Sequence, residues 1–336
     1  MNGKRVNRRS LLTGMALAPA IMRAARAAPM ALRLSSSLPN NPKFANGRVY
    51  YDNLVKRLAT AGLADKIDVQ FFPDNQLGQE IDVVNSVSLG VIDLMVTGTS
   101  IWANVVPLIG LLDLGYLFES FPQQSRALDA GAAKPLEAAL KTGANVDIIG
   151  WAYNFGSRSV LCKSAVNAPA DLAGKRIRTL PNKIITECLR LMGAAATPLA
   201  FGEIYTALQA GVLDGLEHDP PTIVASKFYE TAKFYSLTQH NFSALGVFCS
   251  GLTLNRMDAA LRDPFLAAAT QAAADTRVRG LEAEKEALES LKEKGVEIIA
   301  CDREPFRKLV APQTDEFIKA HPEAKPIIDI VRSTKA

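Results

Sequence analysis

Histidine occurs three times in 336 residues and cysteine four times, and each scarcity excludes chemistry. Cys162, Cys188, Cys249 and Cys301 lie far apart and form neither a C-x-x-C pair nor a zinc spacing. Buried free thiols are the expected state, although one disulfide, between Cys162 and Cys249 in strand-like segments, stays open for an oxidising compartment. The chain has no G-x-S-x-G elbow, H-E-x-x-H helix, G-x-x-x-x-G-K-[ST] loop or G-x-G-x-x-G turn. No catalytic residue, metal or cofactor is therefore expected. His240 in TQHNF and His321 in KAHPE read as ordinary loop or helix-end residues.

A membrane-length apolar run is also lacking, since Leu11 to Met22 is too short to span a bilayer. That run follows Lys4, Arg5, Arg8 and Arg9 and precedes the small-residue pattern Ala25-Arg26-Ala27, the layout of an export signal cut after Ala27. The pair Arg8-Arg9 in NRRSLL fits a twin-arginine signal, which exports an already folded chain to the periplasm. Residues 1–27 hold six of the 38 basic residues and no acid, which leaves 32 basic against 34 acidic and a formal net of −2. The basic excess belongs to the signal, so nucleic acid is not an expected partner.

The remaining 309 or so residues exceed what one core usually serves, and two lobes are expected. Strand-like runs at 31–36, 67–72, 91–96, 146–153, 159–163, 175–179 and 246–254 alternate with helical stretches, an α/β pattern. No Pro-, Gly- or Ser-rich linker appears, so ordinary strand-like crossings must join the lobes. SVSLGVIDLMV (86–96) and TALQAGVLDGLE (206–217) echo each other: a helical run, a capping Gly90 or Gly211, then Asp93 or Asp214 at a strand entrance. The stretch from Pro264 to Lys294 predicts a helix on the order of 45 Å long, with Leu281, Leu288 and Leu291 near one face. That length exceeds one small lobe, so the helix is expected to brace both.

Two short stretches carry candidate site residues. In GLEHDPP, Glu217, His218 and Asp219 alternate in direction along extended chain and cannot easily converge on one metal ion. One or two of them hydrogen-bonding a ligand at a strand end is the functional reading, and Asp219 capping a helix before PPTIVA is the structural one. In KRIRTLPN, Arg176 and Arg178 are one pleat apart. Ligand crevices of open α/β sheets lie beyond the carboxyl ends of strands. Arg178 is thus the residue nearer the crevice, where its planar fork matches a carboxylate. Arg176 is expected along the surface.

The stretches NFGSRSVLCKSAVNAPADLAGKRIRTLPN and GAAATPLAFGEIYTALQAGVLDGLEHDPPTIVASKFYETAKFYSLTQH strongly resemble the solute-binding proteins of tripartite ATP-independent periplasmic (TRAP) transporters. FFPDNQLGQEIDVVNSVSLGVIDLM and LLDLGYLF upstream resemble them too. The resemblance implies two α/β lobes with a ligand cleft between them and a long helix across both. It places lobe I at 28–155 plus about 244–283, and lobe II at 156–243 plus about 284–336. It implies that Arg178 binds an organic acid's carboxylate, that Arg158 helps hold the ligand, and that His218 stands where relatives commonly have asparagine reaching the ligand. Phe201 matches an aromatic pocket wall and Asn182 a loop that touches ligand. Glu80, Asn41, Thr99, Ser100 and Trp102 fall at first-lobe positions around the same ligand. Membrane subunits, small and large, are the implied partners of a monomer or weak dimer.

An acidic Asp219 beside the pocket disfavours a second ligand carboxylate and suits hydroxyl groups. A hydroxylated monocarboxylate such as a sugar acid is therefore expected. The alternatives are a C4-dicarboxylate or other 2-oxo or hydroxy acid, a binding protein that feeds a sensor, and an enzyme using His218 or Glu217 as base.

Overall fold

The computed structural model describes residues 28–152 and 155–334. The export segment expected over residues 1–27 lies outside them, as does position 153 at the end of the strand expected over 146–153. Among the described residues no helix is long and apolar enough to cross a membrane.

In chain order the strands are β1 (Met30–Ser35), β2 (Ile67–Phe72), β3 (Leu94–Gly98), β4 (Val146–Trp151), β5 (Gly156–Cys162), β6 (Arg176–Thr179), β7 (Ala195–Pro198), β8 (Gly215–His218), β9 (Phe234–Ser243), β10 (Leu245–Ser250) and β11 (Glu297–Ile299). They form two sheets, ordered β2-β1-β3-β10-β4 and β11-β9-β5-β8-β6-β7. The sheets share one design. In the first, β2, β1 and β3 are parallel and β10 and then β4 continue antiparallel. In the second, β7, β6 and β8 are parallel, with β5 and then β9 antiparallel.

The sequence echo marks this duplication. Gly90 and Gly211 end their helices at φ +71° and +73°. The carboxylates that follow play equivalent parts in the two lobes. Asp93 accepts from the backbone N–H of Arg33 in β1, and Asp214 from that of Arg176 at the start of β6. Asp93 also receives Thr253 and Arg256. These bonds delay β3, which begins at Leu94 and not at the expected residue 91. The strand expected over 246–254 stops at Ser250, where the short helix Gly251–Asn255 starts. Strands β7, β8, β9 and β11 have no counterpart among the expected runs, because their residues are polar or few, although the echo placed a strand entrance at Asp214 just before β8.

Three passages connect the sheets: residues between β4 and β5, Ala244 between β9 and β10, and the helix Ala259–Glu293. This helix starts five residues before Pro264, where Asp258 accepts from the Leu261 N–H at 2.9 Å, and it spans on the order of 50 Å. Its packing face differs from expectation. Leu291 is buried and Leu288 half-buried as expected, but Leu281 is exposed, and the buried positions are chiefly alanines, including Ala269, Ala272, Ala273, Ala283 and Ala287. Small side chains let the helix lie close on β4, where a Cβ on Gly150 would come 2.6 Å from that of Ala273. Arg57 clamps the helix to the first lobe through two bonds of 2.7 Å to Asp275. Near its other end, Glu284 accepts from the Ser157 hydroxyl at the start of β5. The C-terminal helix Ala324–Ser333 packs against Phe121–Ala127 and the segment after it.

All four cysteines are free, and Cys162, Cys188 and Cys249 are buried. The open Cys162 to Cys249 pairing is not made: the first sits on β5 in one sheet and the second on β10 in the other.

Gly156 opens β5 at φ +133°, and a Cβ there would lie 2.0 Å from the Cβ of Asp219. Gly62, at φ +68°, has nothing within 4 Å of a Cβ. Gly156→Ala is therefore expected to cost roughly 3 kcal/mol, against about 1 kcal/mol for Gly62→Ala, as read from denaturant unfolding of the two variants.

Candidate functional site

Both sheets point the carboxyl ends of their parallel strands at each other, and a cavity lies between them. The first sheet contributes Ser37 and Leu38 after β1, Thr97 and Gly98 of β3, Ser100 and Ile101 beyond it, and Glu80. The second contributes Arg178 and Leu180 at the end of β6, Arg158 of β5, His218 closing β8, Phe155 and Phe201. The enclosed space is about 20 Å³, the room of one or two waters, so the lobes are shut upon it.

Arg178 is 1% exposed. Its Nε donates to the Leu199 carbonyl at 2.8 Å, and its Nη2 is buried without a hydrogen-bond partner. Burial lowers its pKa to about 10; Arg158 adds to the fall while Glu217 and Glu80 oppose it. The group stays cationic at neutral pH. Arg176, one pleat earlier, is exposed and makes a two-pronged pair with Asp214 at 2.8 and 3.0 Å.

Arg158 is committed differently. Its Nε and Nη2 both donate to the Glu217 carboxylate, and Nη2 also reaches the Glu217 carbonyl at 3.1 Å. Both side chains are buried. His240 stands beside them with Nε2 3.5 Å from Glu217 Oε2 and Nδ1 2.9 Å from the Thr238 hydroxyl. Burial alone would raise the Glu217 carboxyl, but the charge and hydrogen bonds of Arg158, with His240, hold it at about 2. His240 is thus no loop residue: it lies within β9 and is fully buried.

His218 is held from three sides. Phe155 and Phe201 meet its ring edge to face at 5.9 and 5.8 Å, and its Nδ1 is 2.5 Å from Asp219 Oδ2. Burial, followed by Arg158, lowers its pKa, so the ring is neutral at neutral pH. Asp219 does not line the cavity. Its Oδ1 accepts from Thr222 N–H at 2.9 Å and caps the helix Pro220–Ala225, in agreement with the structural reading of GLEHDPP. The acid that does reach the cavity is Glu80, which accepts from the Thr97 hydroxyl at 2.7 Å.

The other expected residues divide. Ser100 lines the cavity and donates to Asp113 at 2.5 Å. Asn182 lies just behind, donating to the Ser100 carbonyl at 2.6 Å and Asp113 at 3.3 Å while capping the helix Lys183–Leu191. Thr99 is buried outside the lining, and Trp102 is a core residue packed on Phe248 at 4.9 Å. Asn41 also lies outside, where its side chain accepts from the Lys43 and Phe44 N–H groups in a turn. Asp113 escapes sequence reasoning, although a lone acid in the apolar run PLIGLLDLGYLF is a signal in itself. Burial raises its carboxyl to about 7 against the pull of Ser100, Arg158 and Asn182. Among the described residues no group of three or more His, Cys, Asp or Glu could hold a metal ion.

A two-lobed clamp with an unpaired guanidinium in its crevice defines a binder of small organic anions. Residues 50–320 match the sequence profile of the bacterial extracellular solute-binding proteins, family 7. The chain belongs to that family, the solute-binding proteins of TRAP transporters. It is 29% identical to the 2,3-diketo-L-gulonate-binding periplasmic protein of Escherichia coli K12, over 79% of this chain and 81% of that one. The TRAP solute-binding protein of Xanthobacter autotrophicus Py2, solved with bound β-D-galacturonate, superposes with a TM-score of 0.85 at 26% identity, over 90% of this chain and 100% of that one. That of Polaromonas sp. JS666, bound to D-erythronate, gives 0.85 at 29% identity, over 91% and 99%.

Glu217 keeps a proton off far below the usual carboxylate range, so its stabilising effect is full above about pH 4.5 and fades as pH falls towards 2. Glu217→Gln leaves Arg158 buried without an anion and is expected to cost roughly 3–5 kcal/mol at pH 7. Denaturant titrations at pH 7 and pH 3 check both parts: the deficit of the variant should shrink at pH 3.

Proposed function

We propose that this chain captures a hydroxylated monocarboxylate, a sugar acid of the uronate or aldonate class, in the periplasm and passes it to the TRAP membrane subunits. The observation that carries the reading is the buried, unpartnered Nη2 of Arg178 in a cavity between the lobes. A ligand carboxylate at this guanidinium supplies the anion it lacks, in a water-poor site where such bonds are strong.

Hydroxyl groups suit the rest of the wall. Glu80 accepts hydrogen bonds from hydroxyls and repels a second carboxylate. With its Nδ1 engaged by Asp219, the neutral His218 leaves Nε2 for a hydrogen bond with a ligand hydroxyl. Arg158 acts from behind: Glu217 already occupies two of its donor nitrogens, so its charge adds to the field at the ligand while its position stays fixed. Binding and not turnover follows, since the buried acids are held by their partners. Relatives solved with galacturonate and erythronate, and one named for 2,3-diketo-L-gulonate, support the ligand class.

The closed cavity is smaller than any such acid, so the ligand enters an open form and draws the lobes together, a shift in population between two hinge states. The working unit is a monomer or weak dimer, exported through the twin-arginine signal of residues 1–27.

Arg178→Ala is expected to weaken binding of D-glucuronate or D-galacturonate roughly a hundredfold or more by calorimetry, with the fold retained. Arg176→Ala should leave it within about twofold, since Arg176 lies at the surface, bonded to Asp214 and the Gly211 carbonyl and away from the cavity. Equal losses would reverse the assignment of the two arginines. In a thermal-shift panel, sugar acids should stabilise the protein and succinate or malate should not; the opposite result overturns the ligand class.

A further inference from the structure

Two hollows meet at Phe201. Behind it lies the cavity of about 20 Å³, and in front, at the mouth of the cleft, lies a groove of about 380 Å³. The groove has walls from both lobes, Pro39 and Asn75 on one side and Tyr205, Ser226 and Phe228 on the other. Ser37 and Phe201 line both spaces. The Phe201 ring stands edge to face against His218 in the cavity and against Phe228 in the groove, with centroids 5.8 Å away in each case. It also packs against the cores of both lobes. Beside it the lobes touch: a Cβ on Gly202 would meet Gln79 Nε2 at 3.0 Å and Asn75 Nδ2 at 3.4 Å. When the cleft is shut, this ring is the wall between cavity and groove.

The chemistry of the groove suits a sugar. Half-buried Tyr205 offers an aromatic ring to the apolar C–H face of a pyranose, while buried Phe228 backs the Phe201 ring. Asn75 Oδ1 and Ser226 Oγ lie just beneath its surface without a hydrogen-bond partner, so parting of the lobes turns them towards hydroxyl groups. Its two charged residues, Asp74 and Lys227, are opposite in sign, and no arginine lines it, so it is not a second carboxylate site.

We propose that Phe201 sets the length of the ligand. Drawn over a ligand, with the lobes parted enough to seat it, the cleft holds a single-ring or short-chain acid behind the ring, and the groove is a second sugar subsite that the ring cuts off. A uronic acid carrying a second sugar enters the open form but blocks closure, because its glycosidic link and Phe201 compete for one place. Shortening Phe201 joins the hollows and admits a disaccharide acid. The inference rests on the sugar-acid reading above.

The test is calorimetric titration of the full mature protein and its Phe201→Ala and Phe201→Leu variants with D-galacturonate and digalacturonate, alongside thermal melting. The wild type should prefer the monomer by about 100-fold or more. Phe201→Ala should bind the monomer roughly tenfold more weakly and the dimer at least about tenfold more tightly than wild type, with Phe201→Leu between. Adding Tyr205→Ala to Phe201→Ala should remove the gain for the dimer. Wild-type protein that binds both acids equally overturns the proposal even if neither variant folds. So does an unchanged preference in folded variants. Wild-type protein that binds neither acid, but binds another carboxylate through Arg178, sinks the sugar-acid reading itself, and the length limit with it.

Discussion

A guanidinium removed from water must find an anion or forfeit several kcal/mol, and this molecule buries two of them beside one crevice. Arg158 is satisfied within the protein by Glu217, which is pinned in turn by His240 and by its own place on β8. Arg178 is satisfied only in part, by one backbone carbonyl. The difference between the two arginines is what makes the crevice a site. One charge is balanced and fixes geometry; the other is held in place with a donor to spare. Burial, with the field of Arg158 beside it, lowers the pKa of Arg178 and keeps His218 neutral.

The duplicated sheet design explains why ligand groups converge there. Parallel strands in both lobes end at the crevice, so residues just past β1 and β3 face those ending β6 and β8. Neither lobe alone encloses a ligand. The first supplies acceptors, Glu80 and Thr97, and the second supplies the cation. Two strand passages and one long helix connect them, an arrangement that permits hinge motion without loss of register within either sheet. The alanine face of that helix suits this role, because small side chains pack closely and interdigitate little.

Features with a local period were legible in the sequence. Position along the strand, nearer its carboxyl end, separated Arg178 from Arg176, the glycine and aspartate of each echo marked matching strand entrances, and a breaker-poor run announced the long helix. Features that depend on pairing between distant segments were not. His240 reads as a loop because TQHNF has no apolar alternation, yet its strand is paired by β5 on one side and β11 on the other. Trp102 and Asn41 sit at plausible positions, but one belongs to the core and the other to a turn. Asp219 is near the pocket in sequence, and a helix N-terminus claims its carboxylate, leaving Glu80 as the acid at the cavity.

The α/β class and the two-lobed organisation follow from the chain alone, and strand polarity alone puts Arg178 at the crevice end of its strand, since hydrophobic period and strand polarity are properties of short segments. Enough family pattern sits in the same segments to imply the function. Which acid neutralises Arg158, which one is free to meet a ligand, and that Phe201 stands between two hollows were settled only on folding. Those are distances between residues remote from one another in the chain, and they are set by how two sheets close on each other, which no local pattern encodes.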